Sequence, residues 1–124
     1  MKLHADPRTS LNTVTAYGQG FVEINKVRHD TAVVLTPDTP VAAWDVDGFE
    51  ALQTSHFEQL RALRPELVVL GTGRRQRFPH PRLTEPLTRD HVGVEAMDTP
   101  AACRTYNILM SEGRRVLAAL LVED

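Results

Sequence analysis

The spacing of apolar and polar positions changes character partway along the chain, and that change divides it into a β-rich opening and an alternating helix–strand remainder. From Asn12 the run Thr13-Val14-Thr15-Ala16-Tyr17 alternates, Gly18-Gln19-Gly20 interrupts it, and Phe21-Val22-Glu23-Ile24 resumes it. Two β-rich runs around a glycine-bearing three-residue turn predict a hairpin. Asn25-Lys26 marks a second turn before an extended Val27-Arg28. Ala32 to Leu35 reads as a short apolar strand closed by Pro37, Asp38 and Pro40, and Val41 to Trp44 as one more.

Beyond Asp47 the period lengthens. Ser55-His56-Phe57-Glu58 has the form of a capping box, with Ser55 taking a backbone N–H and Glu58 reaching back. Phe57, Leu60 and Leu63 follow at helical spacing, and Arg64-Pro65 ends the helix because the residue before proline avoids α geometry. Leu67-Val68-Val69-Leu70 is a continuous apolar run, the pattern of a strand buried on both faces in a parallel sheet, and it stops at Gly71-Thr72-Gly73. A short helix is expected over 81–90, and a strand over 92–97. Asp98-Thr99-Pro100 is a helix start, an N-cap followed by proline in the first turn; that helix runs to Ser111 or Glu112, with Gly113 suited to a left-handed cap. Val116 to Val122 is the last strand. Hairpin strands followed by α-β-α-β-α-β argue for an α/β fold, a mixed sheet covered by helices.

Composition narrows the field without naming a function. The chain has 124 residues, room for one core of the ordinary kind, of which 11–124 are expected to form a single α/β domain and 1–10 a flexible N-terminal segment. Its apolar share of 42% and charged share of 24% are those of a globular protein, and 14 basic against 16 acidic residues leave a net charge of −2. That balance gives no general reason to expect nucleic acid or an acidic membrane surface as partner. The arginines gather in one loop rather than a wide stripe with stacking aromatics, which weakens the nucleic-acid reading further. The lone Cys103 makes no internal disulfide, residues 1–10 lack the apolar run of a secretory signal, and nothing approaches the ~20 apolar residues of a membrane span. The expected setting is a reducing cytoplasm.

The segment Val94-Glu95-Ala96-Met97-Asp98-Thr99-Pro100-Ala101-Ala102-Cys103-Arg104-Thr105-Tyr106-Asn107-Ile108-Leu109, then Glu112-Gly113-Arg114-Arg115-Val116, together with Gly71-Thr72-Gly73 after a buried strand, resembles a family of small α/β domains of unknown function, the Mth-like domains. Relatives in that family include a mitochondrial assembly factor for respiratory complex I (NADH dehydrogenase) and an adipogenesis-associated protein. The likeness runs from the hairpin to the last strand. It implies a three-layer domain around a mixed central sheet of about five strands, one of them antiparallel to the rest, with an N-terminal hairpin. It implies no settled activity and no cofactor. The assembly role belongs to mitochondrial relatives with targeting sequences, and none is seen here, so it does not transfer directly.

The strands ending at Gly71 and Met97 are expected to finish close together, and in open α/β sheets ligands bind beyond such carboxyl ends. Gly71, Thr72 and Gly73 offer N–H groups with little side-chain bulk, and the helix starting near Thr99 offers free N–H donors with a partial positive charge. An anion fits between them, with Arg74, Arg75 and Arg77 adding charge. Against this, the glycines also serve a tight turn, the arginines a solvated loop, and Asp98 opposes an anion. There is neither a phosphate-loop lysine motif nor a dinucleotide fingerprint.

On the helix after Asp98, Ala102, Thr105, Ile108 and Leu109 are expected to face the core, while Arg104 and Asn107, three apart, share a face that is either an exposed pair or turned to a partner or pocket. Cys103 reads as small buried packing rather than a nucleophile, since no partner base is visible. The five histidines form no metal-ligand spacing, so no metal site is expected. His80, between two prolines, reads as a surface residue. Asp45 and Asp47, beside Trp44 and Phe49, are explained by turn chemistry, although they could face the arginine loop. With no catalytic constellation, the leading expectation is a non-enzymatic protein-binding or assembly-factor-like module, with a protein partner or self-association. The alternative is a protein, enzymatic or not, for a small anionic molecule at Gly71–Gly73 and Asp98–Thr99.

Overall fold

Turn geometry sets the first sheet. In the computed structural model, which describes residues 11–123, β1 (Val14–Gly18) and β2 (Phe21–Ile24) pair antiparallel through Gln19-Gly20, with Gly20 at φ 78°. Gly18 pairs with Phe21, so the turn has two residues where three were expected. Asn25 and Lys26 both adopt positive φ, 55° and 70°, which is the left-handed pair that a tight hairpin needs to match strand twist. They deliver β3 (Val27–His29) onto β2. The expected flexible segment, 1–10, lies outside the described residues.

The central sheet is built from β4 (Val33–Leu35), β5 (Ala42–Ala43), β6 (Leu67–Gly71), β7 (Gly93–Met97) and β8 (Val116–Leu120). Its order is β5-β4-β8-β6-β7. β8, β6 and β7 run parallel, while β4 is antiparallel to both of its neighbours, so one strand opposes the rest. All of β8 is buried, as are Val68, Val69, Leu70 and Gly71 of β6, and this is why their sequences are unbroken apolar runs.

Among the described residues three α-helices cover the sheet: α1 (Thr54–Arg61) and α2 (Pro81–Thr88) on one face, α3 (Thr99–Ser111) on the other. Phe57, Leu60 and Leu87 close over Val68, Leu70, Leu117 and Ala119. Ala102, Cys103 and Tyr106 close over Val69, Ala118 and Leu120, with Val14, Val22 and Ile24 of the small sheet joining that cluster.

Two local expectations are corrected. The box at the start of α1 is made by Gln53 and His56, not Ser55 and Glu58: His56 Nδ1 accepts from the Gln53 N–H at 2.9 Å, and the Gln53 carbonyl accepts from the His56 N–H at 3.0 Å. The buried stripe of α3 is Thr99, Ala102, Cys103, Tyr106 and Met110, whereas Ile108 is 57% exposed. Both stripes obey helical spacing. The observed one is rotated by about one residue because Tyr106, the largest fully buried side chain, turns inward and its hydroxyl donates to the Asn12 carbonyl at 2.8 Å.

Candidate functional site

Register brings the three parallel strands to a common end. Gly71 stands level with Met97 on one side and Leu120 on the other. The first turn of α3 lies so close over this end that a Cβ on Gly71 would meet Thr99 Cα at 3.1 Å and Thr99 Oγ1 at 2.9 Å, so glycine is required for closeness. Gly73, at φ 96°, is required for its turn. Between them the buried Thr72 hydroxyl donates to the Arg75 carbonyl at 2.7 Å and accepts from the Arg77 N–H at 3.1 Å, which closes the loop on itself.

Most of the expected anion donors converge here; the backbone N–H groups, the Thr99 hydroxyl and the Arg77 guanidinium have partners from within the chain, while the Arg74 side chain is exposed. Asp98 caps α3 by accepting from the Ala101 N–H at 2.8 Å. Thr99 Oγ1 accepts from the Gly73 N–H at 2.9 Å and donates to the Leu121 carbonyl at 2.6 Å, and the Thr99 N–H donates to the Gly73 carbonyl at 2.9 Å. The Arg74 N–H donates to Glu123 Oε1 at 2.9 Å, and the Arg77 guanidinium donates to Glu123 Oε2 and to the Thr72 carbonyl, both at 2.5 Å. The carboxylate of Glu123 therefore lies in the place foreseen for an anionic ligand. Its carbonyl also accepts from the Gly20 N–H at 2.9 Å, which ties the hairpin turn to the strand ends. Beside it opens a cleft of about 470 Å³ lined by Tyr17, Phe21, Pro100, Leu121, Arg74 and Glu123 among others.

The structure thus brings together Gly71, Thr72, Gly73, Arg74, Asp98 and Thr99. The Arg75 side chain is exposed on the loop. Arg104 and Asn107 lie further along α3 against the hairpin. Arg104 donates to the Tyr17 hydroxyl at 2.8 Å, and Asn107 grips the backbone of Val14, accepting its N–H at 3.0 Å and donating to its carbonyl at 2.8 Å. Sequence reasoning missed Glu123. The available signal was one acid directly after the last apolar strand, opposite in sign to the arginine loop. Arg77, foreseen only as added charge, is the arginine that turns inward; its guanidinium also lies 4.7 Å from the centre of the Phe49 ring. Asp45 and Asp47 line a neighbouring hollow with Trp44 rather than meeting that loop.

Burial pushes the Cys103 thiol up to about 12, so it is not a ready nucleophile. His80 caps α2, its Nδ1 accepting from the Arg82 N–H at 3.0 Å. Among the described residues no three His, Cys, Asp or Glu side chains gather to hold a metal ion, and no helix is long and apolar enough to cross a membrane.

Partial burial raises the Glu123 carboxyl, but the Arg74 N–H, the Arg77 guanidinium and the charge of both outweigh it, and the net pKa falls below the ordinary 4.5. A carboxyl whose pKa is lower folded than unfolded stabilises the fold above its unfolded pKa and loses that contribution as pH falls through the folded value. Glu123→Gln is therefore expected to cost about 1–2 kcal/mol at neutral pH, the worth of charge-assisted hydrogen bonds. The difference from wild type should shrink progressively below pH 4.5. Urea denaturation at pH 7, 5, 4 and 3 measures both.

Comparison with known proteins follows this architecture. A family model described as a protein of unknown function (DUF498/DUF598) matches residues 14–121. The mouse (Mus musculus) protein named NADH dehydrogenase [ubiquinone] 1 alpha subcomplex assembly factor 3 is 38% identical over 90 residues, which are 71% of this chain and 48% of that protein. This chain therefore spans about half the length of that relative. A crystal structure of a Bordetella parapertussis protein superposes with a TM-score of 0.89 at 52% identity, covering 94% of this chain and all of the other. A solution structure of a Bordetella pertussis protein described as a Mth938-like domain gives 0.83 at 44% identity, covering 100% of this chain and 95% of the other.

Proposed function

The chain belongs to the DUF498/DUF598 family, and from that premise we propose that it is a non-enzymatic protein-binding module of the assembly-factor kind. The observation that carries this reading is at the strand ends. The donors that would serve an anionic substrate are turned onto the chain's own atoms, with Glu123 held by Arg74 and Arg77. A site so arranged rigidifies loop, helix and hairpin into one surface, which lowers the ordering cost of docking a partner. The similarity to a protein named as an assembly factor supports the same direction. The single buried thiol, Cys103, suits a reducing compartment, and we place the module in the cytoplasm.

The cleft of about 470 Å³ favours a second reading, in which a small anion displaces Glu123 and takes its place on the Arg74 N–H and the Arg77 guanidinium. The two readings separate in one experiment. A thermal-shift series with phosphate, nucleotides and carboxylate metabolites is run on wild type, Glu123→Gln and Arg77→Ala, the last of which removes the guanidinium that holds Glu123. A native-state ligand at a hundred times its dissociation constant stabilises by about 2.7 kcal/mol. The binding-module reading expects no saturable shift in any variant, and a stoichiometric complex by light scattering when the chain is purified with its partner. A saturable shift that strengthens in Glu123→Gln and vanishes in Arg77→Ala would replace it with the anion reading.

A further inference from the structure

Among the described residues, the outer edge of β7 has no strand beside it: β7 pairs with β6 alone, and the opposite edge, β5, is two residues long. In a parallel pair, alternate residues direct both backbone groups at the neighbour. The Thr72 N–H donates to the Met97 carbonyl at 2.8 Å, so Gly93, Glu95 and Met97 face β6, and Val94 and Ala96 turn their N–H and carbonyl groups outward. One of those four groups is covered: Gln76 Nε2 donates to the Ala96 carbonyl at 3.0 Å. The other three have no partner among the described residues. Beside them runs a groove of about 320 Å³ walled by Phe78, Pro79, Pro81, Thr84 and Val94, whose one charged side chain is Glu95. Phe78 is 73% exposed, the most exposed large apolar residue described.

We propose that this edge receives an extended segment of another protein as a sixth strand, apolar on its α2-facing side and carrying a lysine or arginine across from Glu95. The proposal rests on the binding-module reading and names its surface. Free backbone groups in register select an extended chain, because only a strand satisfies alternate donors and acceptors along an edge. The apolar groove and exposed Phe78 select its inner side chains, as aromatic anchors do at interfaces. Glu95, on the other face of the strand from Val94 and Ala96, selects the basic residue. It also disfavours a second copy. In the antiparallel self-pairing that lets Val94 bond to Ala96 of the partner and the reverse, the two Glu95 side chains stand directly opposite, and like charges so placed repel.

The test is residue-resolved amide exchange on the full chain, alone and with two capped eight-residue peptides, one alternating valine and lysine, the other valine and glutamate. In the free protein the Val94 and Ala96 amides should exchange much faster than those of Glu95 and Met97. The lysine peptide should slow them about tenfold or more while the glutamate peptide does not, Glu95→Lys should exchange those preferences, and Phe78→Ala should weaken binding about tenfold. Slow exchange at Val94 and Ala96 in the isolated chain, binding that leaves them fast, or no protection by the lysine peptide at millimolar concentration would each overturn the proposal. A natural complex whose footprint lies elsewhere would overturn it and leave the binding-module reading standing.

Discussion

Thr99→Val is expected to lower stability by about 3 kcal/mol, and with it the melting temperature by roughly 10 °C. Valine has nearly the shape of threonine, so the cost is chemical. The Thr99 hydroxyl is the shared partner of the Gly73 N–H and the Leu121 carbonyl, at 2.9 and 2.6 Å. Removing it leaves both buried groups unpaired, and each orphaned group costs about 1–3 kcal/mol. There is no room for water to replace it, because the valine methyl takes the place of the hydroxyl and even a Cβ on Gly71 would meet Thr99 Oγ1 at 2.9 Å. Thr99→Ser keeps the hydroxyl and is expected to lose under about 1 kcal/mol, chiefly the contacts of one methyl group. Urea melts of the three proteins measure the difference, with an unchanged slope indicating that only stability moved. A valine variant as stable as wild type would mean that Thr99 is not what holds α3 to the strand ends.

That result bears on function because Thr99 and Glu123 close the same place from two sides. Glu123 holds its site by side-chain hydrogen bonds and an ion pair that a competing anion can replace, whereas Thr99 is fixed at the start of a helix. An anion-binding protein needs the first to yield. A binding module needs both to stay, so that the hairpin, the Gly71–Gly73 loop and α3 present one fixed surface. Glu123→Gln and Thr99→Val therefore probe different things: the first the electrostatic occupant, the second the frame around it.

How much of this was readable beforehand depended on whether local chemistry or distant packing set each feature. Asp98-Thr99-Pro100 announced its helix, since the N-cap and the proline act within one turn. The unbroken apolar run of β6 announced a parallel strand, since burial on both faces leaves no room for alternation, and the apolar run of β8, read only as a final strand, has the same cause. Resemblance supplied one antiparallel strand without saying which, and no pattern in Val33–Leu35 marks it as β4. The start of α1 was misread because Ser55 and Glu58 match the common box, whereas a histidine ring at His56 does the same work two residues earlier. The α3 stripe was misplaced because Thr105, Ile108 and Leu109 look as apolar as the residues that are buried, and the choice was made by Tyr106 reaching Asn12, 94 residues away in sequence. Glu123 was invisible for the same reason: its partners, Arg74 and Arg77, are 49 and 46 residues distant. The backbone polarity of β7 is set by register alone and has no signature in sequence.

Asn107→Ala is expected to cost about 2–3 kcal/mol and to loosen the hairpin sheet before the central one. The Asn107 amide is the only side chain described that takes both polar groups of one backbone residue, the N–H and the carbonyl of Val14. β1 is an edge strand, and the Thr13 carbonyl takes the Asn25 N–H at 2.9 Å, so the groups of Val14, next along the strand, point away from β2 and have no strand to pair with among the described residues. Val14 is also buried in the α3-side core, which denies it water. Removing the amide therefore leaves two groups unpaired at a point where nothing else is in reach. Arg104, three residues earlier, makes a hydrogen bond of similar length to Tyr17, yet both groups are solvent-exposed, and Arg104→Ala is expected to change stability by under about 0.5 kcal/mol. Amide exchange at Val14 and Val22 separates the outcomes. Selective acceleration there in Asn107→Ala, with β6 and β8 still protected, would make α3 the dock on which the hairpin is mounted. Uniform acceleration across both sheets would instead make the two sheets one cooperative unit, and the hairpin rim of the cleft could then move only when the whole fold opens.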